Sequence, residues 1–364
     1  MDKETVKVVH IESGLGNQML DYVEFLAVKK SNPKAKCYLE TIISELPNAG
    51  KAISQWNGYE LQRIFANIKD ENVKVLFDDK QWNEILKEVD DSKFWEDHWN
   101  YPPAIEGALK KQGLTLVNRC HSLSTYRRED EGYKLSTGEK LRLGITKFFR
   151  TPIGNAIKRK LKKLTVNRSL GSVRQLKSML FEERCDSEYI GHNMNFQYKD
   201  SGIELIDEEI RRAFEFPPIT DEENLETVKY LQSINSVAIH ARRGDMLTVG
   251  AGSEYYKFGY FKRAVKYIKK HVDKPEFFFF CDPGSAQWCR DNLEVFALDK
   301  DKDSINFVDW NKGEESFRDM QLMSYCKHNI VTNSSFGWWG AYLNENPGKI
   351  TISPEIMINT NVTV

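Results

Sequence analysis

At 364 residues the chain is long enough for two domains, and its 52 Lys and Arg against 53 Asp and Glu leave a net charge of −1. That balance excludes a global basic footprint for nucleic acid. Hydrophobic residues make up 40%, yet no uncharged apolar run approaches the length of a spanning helix, so the composition is that of a globular protein.

The first residues, MDKETVKVV, lack the apolar core of a signal peptide. Cys37, Cys120, Cys185, Cys281, Cys289 and Cys326 form no CxxC pair and no metal-ligand spacing. They read as reduced thiols in a cytoplasmic protein. An apolar strand from Val6 to Ile11 runs into Gly14-Leu15-Gly16 and then Asn17-Gln18. Met19, Val23 and Leu26 follow at i, i+4 and i+7, one face of a helix. Strand, glycine turn and helix open a βαβ unit. The dinucleotide fingerprint is incomplete, because Met19 stands where its third glycine belongs. The P-loop lysine is missing too. What remains is a turn that lets a ligand approach the backbone, with polar tips at Asn17 and Gln18.

Residues 35–40 read as a strand and Lys80 to Val89 as a helix. Phe94, Trp95, Trp99 and Tyr101 cluster before Pro102-Pro103. Polar-tipped aromatics suit sugar faces, although most such clusters anchor a core or a loop. Between Lys140 and Phe181 lie twelve Lys and Arg and no Asp or Glu. Ile153, Ile157, Leu161 and Leu164 recur there at helical spacing, with Lys158, Arg159, Lys160, Lys162 and Lys163 between them. This pattern fits either a helix lying on an anionic membrane surface or a solvated helix packing one face on the domain. The composition shift places the domain boundary here, giving domains 1–150 and 151–364 with the basic segment 140–181 between them.

The second half carries two further signals. In SVAIHARRGD, 236–245, the alternation of Val237, Ile239 and Ala241 marks a strand, with His240, Arg242 and Arg243 at its carboxyl end. Arginine presents a planar fork of donors suited to phosphate oxygens, and open α/β sheets bind ligands at that end of their strands. Tyr255, Tyr256, Tyr260 and Phe261 open a helix running to His271. Glu276–Cys281 and Ile305–Val308 read as strands. Asp299, Asp301 and Asp303 have a carboxylate spacing able to hold a divalent ion, but Lys300 and Lys302 interleave and the stretch reads as a solvated loop. Finally NIVTNSSFGWWGAYL, 329–343, runs from a short strand through Asn333-Ser334-Ser335 into a tryptophan-rich helix. A helix start bears free N–H groups, capped by Ser or Asn or offered to a phosphate. The order of strands in this half is that of a doubly wound nucleotide-binding sheet.

GLGNQM at 14–19, HARRGD at 240–245 and DMQLMSYCKHNIVTNSSFGWWGAYL at 319–343 together resemble glycosyltransferase family 11, the α-1,2-fucosyltransferases. The segments 198–216, 277–293 and 306–320 resemble it as well. The likeness spans about the first 30 residues and most of 185–345, and is weakest over 32–185. Three positions depart from the family pattern: Gly337 replaces a serine, Leu20-Asp21-Tyr22 follows the first motif, and Cys281-Asp282-Pro283 replaces Ser-Asp-Asp.

The resemblance implies an α/β fold of GT-B type, two Rossmann-like domains facing across a donor/acceptor cleft. It implies GDP-β-L-fucose as co-substrate, inversion at the anomeric carbon, and no cofactor or metal. The acceptor implied is the 2-hydroxyl of a terminal β-galactose on a glycan, lipid-linked in one version. Arg242 is then expected to clamp the diphosphate, with Ser334, Ser335 and the N–H groups through Phe336 completing the cradle beside Asn333. His240 is expected on the nucleoside or phosphate side, Asp319 on guanine, and Gly16 and Asn17 at the fucose–phosphate junction. Asp21 and Glu12 are the candidate general bases, neither singled out by the sequence. A fucosyltransferase acting on protein hydroxyls and a non-catalytic nucleotide-sugar or glycan-binding module are the rival readings.

Overall fold

The computed structural model describes residues 4–48, 57–96, 100–120, 180–191, 194–198, 201–244, 252–354 and 362–363, with single positions 137, 141, 144, 145, 148, 153, 157 and 247. The chain divides into two compact units. Unit 1 takes residues 1–14, 18–59 and 69–210; unit 2 takes 15–17, 60–68 and 211–364. The expected boundary at 150–151 falls outside the described residues.

Unit 1 is built on a four-stranded sheet of order β2-β1-β4-β3, with β1 Val6–His10, β2 Lys36–Glu40, β3 Val117–Asn118 and β4 Glu188–Ile190. All of its pairings are parallel. Helix α1, Leu15–Ser31, connects β1 to β2. Helix α2, Asp79–Asp91, starts with a reciprocal capping box between Asp78 and Gln81 and turns Trp82, Ile85 and Val89 inward. Helix α3, Tyr101–Lys111, buries Tyr101, Ile105, Ala108 and Leu109. These side chains pack with Val8, Tyr38 and Tyr189 of the sheet into one apolar core. Phe94 and Tyr101, candidate sugar platforms in the sequence, belong to this core; Trp99 lies outside the described residues. Lys7 is fully buried on β1, its ammonium bonded to Glu188 at 2.8 Å and to the carbonyls of Asp186 and Arg184 at 2.7 and 3.0 Å. A buried lysine survives only with such complete pairing.

Unit 2 holds a six-stranded parallel sheet of order β10-β9-β8-β5-β6-β7. Its strands are β5 Ser236–Ala241, β6 Glu276–Cys281, β7 Ser304–Val308, β8 His328–Ile330, β9 Thr351–Ser353 and β10 Val362–Thr363. Strand β5 is central and buried at every position, pairing Val237 with Phe277 on one side and with His328 on the other. The helices used below are α4 Glu222–Ser233, α5 Tyr260–His271, α6 Ser285–Asp291, α7 Phe317–Tyr325 and α8 Ser335–Leu343. The stretch expected as a single helix to His271 is two, Gly252–Lys257 and α5, broken at Gly259, whose φ of +72° is the left-handed conformation glycine tolerates. Phe261, Ala264, Val265 and Ile268 on α5 bury against the Phe277 and Phe279 face of β6. The expected α/β class with two parallel-sheet domains is thus the fold observed.

Candidate functional site

In unit 2 the chain leaves β5 for β6 and β7 on one side, then crosses to β8 and β9 on the other. The point where the strand order reverses lies between β5 and β8, and such a switch point opens a crevice at the strands' carboxyl ends. The two C-terminal sequence signals meet there. His240 is the penultimate residue of β5, which leads through Ala241 into Arg242, Arg243 and Gly244; Asn333 to Phe336 follow β8 and start α8.

The turn after β5 is held from β6. Asp282, buried at the end of that strand, accepts backbone N–H bonds from Arg243 at 2.5 Å and Gly244 at 2.9 Å, and a hydroxyl bond from Ser285 at 2.7 Å. The Arg243 guanidinium lies 3.2 Å from the centroid of Trp288 and 5.1 Å from that of Tyr256. Arg243 is therefore committed to a cation–π stack. The Tyr256 hydroxyl donates to the Arg242 carbonyl at 2.9 Å, fixing that residue's backbone. Asp282, Ser285 and Trp288 were not singled out in the sequence, and only their place within the family-like run 277–293 hints at them.

The start of α8 carries a modification of the expected cap. Ser334 occupies the N-cap position but makes no side-chain cap bond, so the first N–H groups of the helix receive none from it. Ser334, Ser335 and Phe336 are half-buried and Asn333 is exposed. The glycine turn from the chain's start lies on this helix. The Ser335 hydroxyl donates to Asn17 Oδ1 at 2.5 Å, and the Trp339 indole N–H donates to the Gly16 carbonyl at 2.9 Å. A Cβ on Gly16 would stand 2.6 Å from Phe336 N and 2.8 Å from Ser335 Oγ. Trp338 and Trp339 are buried, and Trp339 meets Phe214 edge-on at 5.1 Å. They are core residues that hold the helix.

His240 is 4% exposed and stacks with Phe336 at 5.8 Å. Burial, helped by the neighbouring Arg242 charge, pulls its pKa down to about 3, so the ring is neutral. Its Nδ1 has no hydrogen-bond partner among the described residues. A Cβ on Gly337 would fall 2.3 Å from that nitrogen, so the imidazole fills the space that a side chain at 337 would need.

Asp319 lies in the first turn of α7. Asn311 donates to its Oδ1 at 2.9 Å, and Asn311 is itself bonded to Asn224 of α4. Burial raises its pKa to about 7, against the lowering effect of the Asn311 bond, with Asp309 adding to the rise. Its charge also reaches Cys281 at the end of β6. That thiol is pushed up first by its contact with Cys289, then by burial, and further by Asp282 and Asp319. Asp319 therefore belongs to the carboxyl end of this sheet.

In unit 1, Glu12 and Asp21 flank the glycine turn. Asp21 Oδ2 accepts the Glu12 N–H at 3.1 Å, and both residues are buried. Asp21 thereby closes the turn that follows β1. In the loop suspected of metal spacing, Lys302 pairs with Asp299 and Lys269 with Asp303, each at 2.7 Å. No cluster of His, Cys, Asp or Glu suited to a metal ion occurs among the described residues.

Residues 208–362, nearly the whole of unit 2, match the family described as Glycosyl transferase family 11. Over these residues the chain is similar to glycosyl transferase family 11. A relative named Alpha-1,2-colitosyltransferase, from Escherichia coli, is 31% identical over 197 residues, 49% of this chain and 63% of the relative. The O-antigen biosynthesis glycosyltransferase WbnK, also from Escherichia coli, is 32% identical over 34% of this chain and 39% of the relative. Galactoside alpha-(1,2)-fucosyltransferase 1 from Plecturocebus brunneus is 29% identical over 110 residues, 29% of this chain and 28% of that protein. The matched regions thus span 63% or less of these curated relatives. Among solved structures, fucosyltransferase NodZ from Bradyrhizobium is similar at a TM-score of 0.44 and 12% identity, over 98% of both chains. The region similar to this family is therefore the one that carries the crevice described above.

Proposed function

We propose that the chain is an inverting fucosyltransferase that moves L-fucose from GDP-β-L-fucose to the 2-hydroxyl of a galactose-bearing glycan. The observation that carries this reading is the meeting, at the switch point of a family-11 sheet, of Arg242, the uncapped start of α8 and the Gly16-Asn17 turn bonded to it.

Breaking the sugar–phosphate bond leaves negative charge on GDP, and donors aimed at that charge supply most of the stabilisation. In this reading Arg242 clamps the diphosphate through two parallel N–H bonds. The N–H groups of Ser335 and Phe336, with the Ser334 and Ser335 hydroxyls, receive the remaining oxygens. Asn17, oriented by Ser335, serves the sugar–phosphate junction. Neutral His240 offers Nδ1 to the nucleotide, Asn333 lines the mouth, and Asp319 accepts the guanine N1–H and N2–H₂. No metal ion enters, and activity retained in excess EDTA is the expected outcome.

The decisive experiment supplies GDP-fucose with a panel of β-galactosyl oligosaccharides and reads product linkage by NMR. The α-1,2 anomeric product is expected. GDP binding without turnover on any acceptor would favour a binding module instead, and transfer to serine or threonine peptides would favour the protein-directed reading. Because one relative bears a colitosyltransferase name, a colitosyl donor belongs in the same panel.

The reading extends to a membrane surface. Within the acid-free basic stretch, Leu141, Ile145, Phe148, Ile153 and Ile157 are helical and exposed, Leu141 by 67% and Ile153 by 72%. Large apolar side chains left in water beside many cations suit an anionic bilayer, where a lipid-linked acceptor would reside. Leu161, Leu164 and the five intervening basic residues lie outside the described residues. Among the described residues no helix is long and apolar enough to cross a membrane.

A further inference from the structure

Within unit 2 a chain of side-chain amides runs from α4, through the loop after β7, to Asp319 in the first turn of α7. Asp221, the N-cap of α4, accepts the Asn224 N–H at 2.8 Å and fixes that residue's backbone. Asn224 is only 3% exposed. Its Oδ1 accepts the Trp310 indole N–H at 2.9 Å and an Asn311 Nδ2–H at 3.2 Å. Its own Nδ2 donates to Asn311 Oδ1 at 2.8 Å. Asn311 Nδ2 also donates to Asp319 Oδ1, at 2.9 Å. The two amides are thus paired reciprocally, and the pair ends on the Asp319 carboxylate.

The sense of this chain is fixed from its far end. An indole N–H can only donate, so the atom of Asn224 that faces Trp310 is the carbonyl oxygen. Asn224 must then present its NH₂ group to the Asn311 oxygen. That leaves the NH₂ group of Asn311, and not its oxygen, toward Asp319. Turning either amide over would set oxygen against oxygen and hydrogen against hydrogen. A polar network in which every member is satisfied in one arrangement holds that arrangement rigidly.

The chemistry at Asp319 follows. The residue is half-buried, and its Oδ2 accepts no hydrogen bond from the described residues. An ionised carboxylate only accepts, whereas a protonated one also donates. Guanine offers two donors on one edge, N1–H and N2–H₂, which suit the ionised group. Adenine offers the N1 lone pair beside its N6–H₂, which suits the protonated group and repels the ionised one. The protonation state of this one side chain therefore decides between the two purines.

We propose that Asn311, set by Asn224 and Trp310, is the positioning residue that makes the site choose guanine over adenine, by holding Asp319 ionised and aimed at the base. This rests on the reading of Asp319 as the guanine acceptor.

The surrounding charges agree. Burial raises the Asp319 pKa to about 7, the Asn311 bond works against that rise, and Asp309 adds to it. Asp309 is exposed and pairs with Arg290 of α6 at 2.8 Å. Cys281 of β6 is pushed up by its contact with Cys289 and by burial, so it stays a neutral thiol. On α7 the Arg318 guanidinium is spent on Gln321 at 2.7 Å, the Pro217 carbonyl at 3.0 Å and Glu315 at 3.3 Å. Asp221 of α4 is engaged with the Asn224 backbone. No lysine or arginine among the described residues bonds to Asp319, and Asn311 is the donor that favours its charge.

The test measures the Kd of GDP and of ADP by calorimetry from about pH 6 to 9, in the wild type and in Asn311→Leu. The two nucleotides share a diphosphate, so its own titration cancels in their ratio. Wild type should favour GDP, with a ratio that shrinks as pH falls through about 7. A wild type that binds ADP as tightly as GDP across the range sinks the guanine reading and this proposal with it. Asn311→Leu keeps the size and loses the donor. The midpoint of its GDP profile should move to higher pH, and its preference for GDP at about pH 7.5 should fall by about fivefold or more. A residue that only supports the fold would weaken both nucleotides at every pH and leave the midpoint in place. That outcome overturns the proposal and leaves the guanine reading standing. Should Asn311→Leu fail to fold, Trp310→Phe decides. It keeps an aromatic ring but drops the N–H that sets the amides, so the midpoint should move in the same direction by a smaller amount. An unmoved midpoint there overturns the proposal.

Discussion

Ser335 donates its hydroxyl hydrogen to Asn17 Oδ1 at 2.5 Å, although 318 positions separate them in the chain. One turn further along α8, the Trp339 indole donates to the carbonyl of Gly16. The glycine turn that opens the chain is thereby fastened twice to the helix start that the fucosyltransferase reading assigns to phosphate. Asn17 is oriented by the same serine that would receive a phosphate oxygen, so ligand binding at Ser335 and the orientation of Asn17 are physically linked.

Gly16→Ala tests the closeness of that fastening. The new Cβ would meet Phe336 N at 2.6 Å, a backbone atom with no freedom to swing away. Overpacking of this kind costs about 1–3 kcal/mol. The variant should melt several degrees lower and bind GDP more weakly, by calorimetry. An unchanged melting temperature would show that the turn and α8 are not in such contact.

Much of unit 2 was legible in the sequence because its strands are short apolar runs that end in chemistry-bearing residues: Ala241 before Arg242, and Ile330 before Ser334. Their adjacency was not legible from periodicity, since β5 and β8 are about ninety positions apart; the family likeness supplied it. Asp282 was missed because a carboxylate that anchors backbone N–H groups has no sequence period. The pairing of His10 with Glu40 was not legible for a related reason: each is the last residue of its strand, and only parallel register sets them side by side. The paired tyrosines Tyr255 and Tyr256 suggested one continuous helix, but Gly259 breaks it with a backbone angle that no run of apolar residues announces.

Position 337 should be coupled to His240. A serine there, as the family pattern has, would place Cβ 2.3 Å from His240 Nδ1, and the buried ring has no room to yield without a rotamer change. Gly337→Ser alone is expected to lower stability by about 1–3 kcal/mol. Gly337→Ser with His240→Ala should recover part of that loss, giving an interaction energy of about 1 kcal/mol in a double-mutant cycle. Strict additivity of the two changes would refute the contact.

Arg242 carries the charge argument. Arg242→Ala should weaken GDP binding by roughly 1.5–3 kcal/mol and reduce turnover further, because the charge on the phosphate grows as the bond breaks. Arg242→Lys keeps the charge and loses the planar fork, so it should also fall well below wild type. A lysine variant with near-normal kcat would argue for a simple point charge. Arg243 offers a control: its stack on Trp288 predicts that Arg243→Lys shows up in melting temperature more than in GDP affinity.

Asp319 gives a pH dependence with a definite sign. Its pKa is raised to about 7 in the fold, above the ordinary carboxyl value of 3.8. The folded protein therefore binds the extra proton between those values, and this group's contribution to stability declines as pH rises from about 4 to 7. Guanine recognition runs the other way, since only the ionised carboxylate accepts both guanine donors. Affinity for GDP should fall as pH drops below about 7, by at most about tenfold per unit. Asp319→Asn should bind GDP less tightly at pH 8 and lack this dependence beyond the titration of GDP itself. Calorimetry from pH 6 to 8 on both proteins decides it, and parallel curves would remove Asp319 from the guanine site.

The exposed apolar residues and the basic run make separable predictions about a membrane surface. Basic side chains near an anionic leaflet contribute about 1 kcal/mol each, screened by salt, whereas inserted apolar side chains hold when salt is raised. Replacing Lys158, Arg159, Lys160, Lys162 and Lys163 with Gln should release the protein from phosphatidylserine vesicles at physiological salt. Leu141→Gln with Phe148→Gln and Ile153→Gln should leave binding at low salt but make it collapse as salt rises, because only the screened component remains. Neither set touches the residues assigned to donor binding, so rates on a soluble acceptor should stay within about twofold of wild type. Vesicle sedimentation reads both variants. A wild-type protein that fails to pellet with anionic lipid at low salt would mean that Leu141, Phe148 and Ile153 face some partner other than a bilayer.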